Sequence, residues 1–227
     1  MIDRENPILC YVTDRRSLFA SSGVATETAL IEKIAAIAAA GVDWVQIREK
    51  DLPGRQLATL TDEAIARTRA VRSNHAARVV VNDRLDVAIA KGAAGAHLGE
   101  SGLPVAEVAR WVSSKVFVGT KRDFLIGASC HSQESAIAAV RDGANYIFFG
   151  PVFATPSKAQ FGEPQGLKKL AAVCGEVSIP VIAIGGITVE NAGECASAGA
   201  AGIAAIRLFQ DATDPAAIVS TLKKLRR

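Results

Sequence analysis

The sequence has only four cysteines, Cys10, Cys130, Cys174 and Cys195, and no two of them stand in a CxxC pair. This spacing excludes a disulfide framework, offers no zinc-ligand pattern and fits a reducing compartment. Charged residues make up 22% and aromatic residues 5%, against 49% apolar residues, so there is material for a large core and too little charge for disorder. With 26 basic and 23 acidic residues, the net charge of +3 is too small and too evenly spread to imply nucleic acid or a membrane surface as partner. No apolar run reaches the roughly 18 residues of a spanning helix. Residues 1–7 are charged, lack the apolar centre of a signal peptide and are expected to be an irregular extension. These absences predict a soluble cytoplasmic protein whose important basic residues act locally. Glycine is what the chain has in quantity. Nineteen glycines against eight prolines suggest many tight junctions between elements, without the bias of a collagenous or low-complexity chain.

Short β-branched runs recur along the chain with Ala-rich helical stretches between them. The expected strands are 8–13, 44–48, 79–82, 95–98, 124–129, 146–152, 181–185 and 203–208; the main helices are 28–40, 54–72, 104–111, 133–141, 167–173, 189–198 and 215–225. Three helices end alike, at Ala40-Gly41-Val42-Asp43, Asp142-Gly143-Ala144-Asn145 and Ala198-Gly199-Ala200-Ala201. Glycine just past a helix accepts the left-handed backbone that closes it. Eight such units, with strands apolar on both faces, predict a single-domain (β/α)₈ TIM barrel over residues 1–227 rather than an open sheet.

In such a barrel, function comes from the carboxyl ends of the strands. Gln46, Arg48 and Lys50 alternate, so on an extended strand all three face one side and offer a mount for a polyanion. The plainer alternative is that these cations form a barrel-layer ion pair with Glu49 or a neighbouring carboxylate. Asn82-Asp83 supplies an amide and a carboxylate suited to a Mg²⁺ shared with substrate phosphates, or equally a cap for the next short helix. The loop from Gly150 to Lys158, with Thr155 and Ser157, either holds a second phosphate or is a solvated loop. Gly185-Gly186, with Thr188 opening a helix, exposes amides of the kind that bind phosphate late in barrels. Ser129-Cys130-His131 is not read as a nucleophilic site, because neighbours on a strand face opposite ways and Cys130 then packs outward. His97, at a strand end, either serves the site or fixes a loop.

Six motifs in register, Gln46-Ile47-Arg48-Glu49-Lys50, Val81-Asn82-Asp83-Arg84, His97-Leu98-Gly99, Gly127-Ala128-Ser129-Cys130-His131-Ser132, Phe149-Gly150-Pro151-Val152-Phe153 and Ala183-Ile184-Gly185-Gly186-Ile187, resemble the thiamine phosphate synthase family. That family is a TIM barrel that joins a hydroxymethylpyrimidine diphosphate to a thiazole phosphate, with Mg²⁺, releasing pyrophosphate. The resemblance implies that Gln46, Arg48, Lys50, Asn82, Ser129 and Lys158 hold the pyrimidine diphosphate and that Asp83 binds Mg²⁺. It implies that Thr155, Ser157, Gly186 and the backbone at Ile206 and Arg207 hold the thiazole phosphate. Its partners are these two phosphorylated small molecules, and a homo-oligomer is compatible with it.

Three departures from the family's pattern stand out. Gly102 occupies the place of a usual second Mg²⁺-binding Asp, and Glu100, two residues away, is the candidate to substitute for it as a ligand, directly or through water. Arg207 replaces a usual Ser, and Cys130 a usual Thr. Two other readings stay open at this level: a thiazole tautomerase of the related TenI-like group, and a barrel that binds a thiamine-related phosphate without turning it over. The tautomerases usually carry His where this chain has Pro151, which favours the synthase.

Overall fold

A computed structural model describes residues 6–22, 26–71, 76–114, 123–155 and 163–225. Its strands are β1 (Ile8–Val12), β2 (Trp44–Ile47), β3 (Arg78–Asn82), β4 (Gly95–Leu98), β5 (Leu125–Cys130), β6 (Tyr146–Phe149), β7 (Val181–Ile184) and β8 (Gly202–Ala205). They pair in parallel in chain order, and β8 closes onto β1, with Tyr11 opposite Ala205. The closed barrel expected from the recurring runs is therefore present. Helices α1 (Arg15–Ser22) and α2 (Thr26–Ala40) follow β1. Then come α3 (Gly54–Ala70), α4 (Leu85–Ala90), α5 (Val105–Val112), α6 (Gln133–Arg141), α7 (Gly166–Glu176) and α8 (Ala192–Ser197), each after its strand, with α9 (Arg207–Gln210) and α10 (Pro215–Leu222) after β8. Among the described residues no helix is long and apolar enough to cross a membrane.

The period-two alternation of each strand divides the core in two. Leu9 and Tyr11, Val45 and Ile47, Val79 and Val81, and Ile147 and Phe149 face outward into the large cluster shared with the helices. Ile8, Cys10, Val12, Trp44, Tyr146, Phe148, Ile182 and Ala204 fill the barrel instead. Cys130 packs outward, as its parity requires, and all four cysteines are free. Gly41, Gly143 and Gly199 have φ of 101°, 98° and 94°, so the repeated helix-to-strand junction read from the sequence is a left-handed glycine each time.

Three expected boundaries are corrected. The sixth strand stops at Phe149 rather than Val152, because Pro151 has no N–H to donate to the ladder. The eighth stops at Ala205 rather than Leu208. Ile206 adopts helical dihedrals and its carbonyl accepts from the Gln210 amide at 2.9 Å, while the Gln210 side chain is held by the Tyr11 hydroxyl at 2.7 Å. The helix expected from Val189 begins at Ala192, so Thr188 does not open it. The Thr188 amide donates to Asn191 Oδ1 at 2.8 Å, and that side-chain turn occupies the residues before α8.

Candidate active site

The β2 exit carries the most charge. β2 ends at Ile47, so only Gln46 of the expected trio lies on the strand, and Arg48 and Lys50 follow in the loop beyond it. Gln46 is buried in the barrel and donates from Nε2 to Asn82 Oδ1 at 3.0 Å. Arg48 is held through its backbone, whose N–H donates to Thr13 Oγ1 at 2.9 Å. Lys50 reaches over the rim, its Nζ 3.9 Å from Asp83 Oδ2.

The ion-pair alternative holds in part: Lys50 pairs with the neighbouring Asp83 carboxylate, whereas among the described residues Glu49 pairs with neither Arg48 nor Lys50. Glu49 is buried and takes the Thr13 hydroxyl at 2.6 Å and the Arg15 guanidinium at 3.2 Å. Arg15 turns its outer edge to Asp51 in a two-pronged pair at 2.7 and 2.6 Å, which holds the Asp51 carboxyl well below its ordinary range. Burial raises the Glu49 carboxyl above its ordinary range, while Thr13 and Arg15 pull it the other way. The Arg48 guanidinium is thereby left without a carboxylate among the described residues. Its charge is felt by His97 inside the barrel. A cation held by a backbone clamp and free of an internal anion is available to an anionic ligand.

Asp83 stands at the centre of the β3 exit with φ of 57°, a left-handed conformation that Asp tolerates better than most residues. Its Oδ1 accepts from the Gly99 amide at 2.7 Å and its Oδ2 from Asn82 Nδ2 at 2.6 Å. The carboxylate is therefore aimed by two donors, and each oxygen keeps a lone pair for a further partner. Asn82-Asp83 does not cap α4, which has no side-chain cap.

On the β4 and β5 side, His97 is 1% exposed and bridges two hydroxyls: its Nδ1 lies 3.2 Å from Tyr146 Oη and its Nε2 2.9 Å from Ser129 Oγ. Desolvation, with a smaller contribution from Arg48, lowers its pKa to about 3, so the ring is neutral at physiological pH. Gly127 makes this arrangement possible. A Cβ there would stand 2.2 Å from Tyr146 Cζ and 2.6 Å from His97 Nδ1. Gly127→Ala is therefore expected to cost about 1–3 kcal/mol or more, read as a lowered urea midpoint; an unchanged midpoint would mean that the interior accommodates the methyl group.

The opposite rim is mostly backbone. Gly185 and Gly186 have φ of 98° and 66°, and a Cβ on Gly186 would stand 2.5 Å from the Ala154 carbonyl, so the β6 loop lies directly against the glycine pair. The Phe153 amide fixes that contact by donating to the Gly185 carbonyl at 3.0 Å. Across β8, Arg207 begins α9 and is exposed. Ser157 and Lys158 lie outside the described residues, and Thr155 is the last described residue of its loop.

The family description "Thiamine monophosphate synthase" matches residues 9–209. The chain belongs to the thiamine monophosphate synthase family. A putative thiamine-phosphate synthase of Geobacter sulfurreducens is 49% identical over 177 residues, 78% of each chain. A thiamine-phosphate synthase of Roseiflexus castenholzii is 38% identical over 215 residues, covering 95% of this chain and 86% of its own. Among solved structures, thiamine phosphate pyrophosphorylase from Pyrococcus furiosus superposes with a TM-score of 0.77 at 31% identity, over 96% of this chain and 94% of that one.

Within the thiamine monophosphate synthase framework the departures have structural counterparts. Gly102, where the family's pattern has an Asp, packs so closely that a Cβ would stand 2.7 Å from Asp83 Oδ1. This position does abut the Asp83 carboxylate, and a side chain there would have to displace it. Glu100 is exposed, with its Oε2 4.0 Å from His131 Nε2. Among the described residues no group of three or more His, Cys, Asp or Glu could hold a metal. Sequence reading picks out Thr13 as a polar strand end, without its role in holding Glu49 and Arg48, and misses Arg15 and Tyr146. The available signal was strand parity, which places Tyr146 inside the barrel beside Gly127 and His97.

Proposed function

We propose that this chain condenses 4-amino-2-methyl-5-hydroxymethylpyrimidine diphosphate with thiazole phosphate, giving thiamine phosphate and pyrophosphate. The observation that carries this reading is an Arg48 with no carboxylate partner among the described residues, two positions from Lys50, whose Nζ lies 3.9 Å from Asp83, on a barrel whose β7 exit is left-handed glycine backbone and whose β8 is followed by α9. Two phosphorylated reactants need two such mounts. Gln46, Arg48, Lys50, Asn82, Ser129 and Lys158 take the pyrimidine diphosphate; Thr155, Ser157, Gly186 and the backbone at Ile206 and Arg207 take the thiazole phosphate. The C–O bond to the diphosphate breaks with its electron pair leaving on pyrophosphate. The thiazole nitrogen then forms the C–N bond to the exposed pyrimidine methylene. Arg48, Lys50 and Lys158 stabilise the charge that collects on the departing group, and the opposite rim keeps the nitrogen in line.

The residues present fit Mg²⁺. Asp83 is a hard oxygen donor at the mouth whose two oxygens each retain a lone pair, and Mg²⁺ is commonly held by one or two carboxylates together with substrate phosphates. When bound, the ion supplies further neutralisation of the diphosphate. Glu100 is the second carboxylate of this proposal. Glu100→Gln is expected to raise the Mg²⁺ concentration needed for half-maximal activity several-fold, and an unchanged requirement would remove Glu100 from the metal site. The reaction itself is tested by incubating the purified protein with both substrates and following thiamine phosphate and pyrophosphate. Equimolar appearance of the two is expected, and formation of neither would overturn the assignment.

A further inference from the structure

His97 and Tyr146 lie beneath the mouth, and no role follows for either from the condensation itself. Tyr146 is fully buried, and among the described residues its hydroxyl has one hydrogen-bonding partner, His97 Nδ1. Its ring is packed against Trp44, with centroids 4.6 Å apart. The His97 ring lies 4.3 Å from Phe148, and Gly127 fits against the Tyr146 and His97 rings too closely to admit even a methyl group. Burial keeps the phenol protonated, so it has one proton to donate and, among the described residues, His97 Nδ1 as its hydrogen-bonding partner. A neutral imidazole carries one N–H. If Nδ1 accepts from Tyr146, the proton must be on Nε2, which then donates to Ser129 Oγ across 2.9 Å. The reverse polarity would put the proton on Nδ1, facing a phenol whose own proton then has nowhere to go in a dry interior.

We propose that Tyr146 and His97 are positioning residues that fix the direction of the Ser129 hydroxyl. Tyr146 donates to His97, His97 donates to Ser129, and Ser129, its inward lone pair occupied, directs its proton outward onto the diphosphate. The chain of donors thus ends as one more donor aimed at the leaving group, set in place before substrate arrives. The inference rests on the reading above that Ser129 holds the diphosphate.

The test has two arms. In ¹⁵N-histidine-labelled protein, with His97 assigned by loss of the other signals in His75→Gln and His131→Gln, Nε2 is expected to be pyrrole-type and Nδ1 pyridine-type. The opposite tautomer would overturn the proposal whatever Ser129 does. In the kinetic arm, Tyr146→Phe is expected to lower kcat about tenfold, the order of one lost hydrogen bond, with KM for thiazole phosphate unchanged. In a Ser129→Ala background the same substitution should change kcat less than twofold. An equal loss in both backgrounds would mean that Tyr146 acts only on packing and would overturn the proposal. If Ser129→Ala alone leaves kcat unchanged, the reading of Ser129 fails, and the tautomer still decides the polarity of the chain.

Discussion

Arg48→Ala is expected to lower kcat for thiamine phosphate formation by about 10²- to 10³-fold, the range typical of removing one preorganised donor from a developing negative charge. The size of the effect follows from how the side chain is held. Thr13 fixes the Arg48 backbone, and Glu49, the nearest carboxylate in sequence, is taken up by Thr13 and Arg15. If Arg48 holds the diphosphate as proposed, it does so without first breaking an ion pair to any described residue, and its full charge is available to the leaving group. Arg48→Lys should restore only part of the rate, because a point charge replaces a planar two-pronged donor. Single-turnover kinetics on the two variants measure this directly. A loss of less than threefold in Arg48→Ala would place the diphosphate elsewhere.

The second large effect is on stability in acid. His97 titrates near 6.5 in an unfolded chain and about 3 in the folded barrel. Between these values the unfolded chain binds a proton that the native state does not, so the contribution of His97 to stability is complete above about 6.5 and is lost as pH falls toward 3. For this group alone, lowering pH from about 7 to about 5 should remove about 2 kcal/mol of unfolding free energy. Glu49 acts in the opposite sense, since its raised pKa lets the native state take up a proton first as pH falls. Comparison with His97→Gln separates the two, because Glu49 is common to both proteins. Urea titrations at the two pH values should show the wild type losing about 2 kcal/mol more than the variant. Equal losses would mean that His97 is protonated in the native barrel.

The parts of the fold that could be read in advance are those set by local chemistry. The glycines at positions 41, 143 and 199, left-handed in the structure, mark helix ends, and short β-branched runs flanked by such glycines read as buried strands. Helices α1 and α9 were not foreseen. The first is polar, and the second is a four-residue turn made by the Ile206 carbonyl and anchored through Gln210 to Tyr11, a contact across 199 residues. The same division runs through the site. Asn82-Asp83 and the β2 exit were legible because strand ends project into the mouth. The partner of Glu49 was not, because the adjacent Arg48 and the distant Arg15 are equivalent in sequence, and only the Thr13 clamp decides between them. The His97–Tyr146 contact spans 49 residues and depends on Gly127 for its room.

The most direct test of the account is one assay of the purified protein with both substrates, with and without Mg²⁺, that scores condensation and thiazole tautomerisation side by side. The two phosphate mounts predict Mg²⁺-stimulated formation of thiamine phosphate with matching release of pyrophosphate, and no tautomerisation. Tautomerisation without condensation, or tight binding of both substrates without any product, would contradict it.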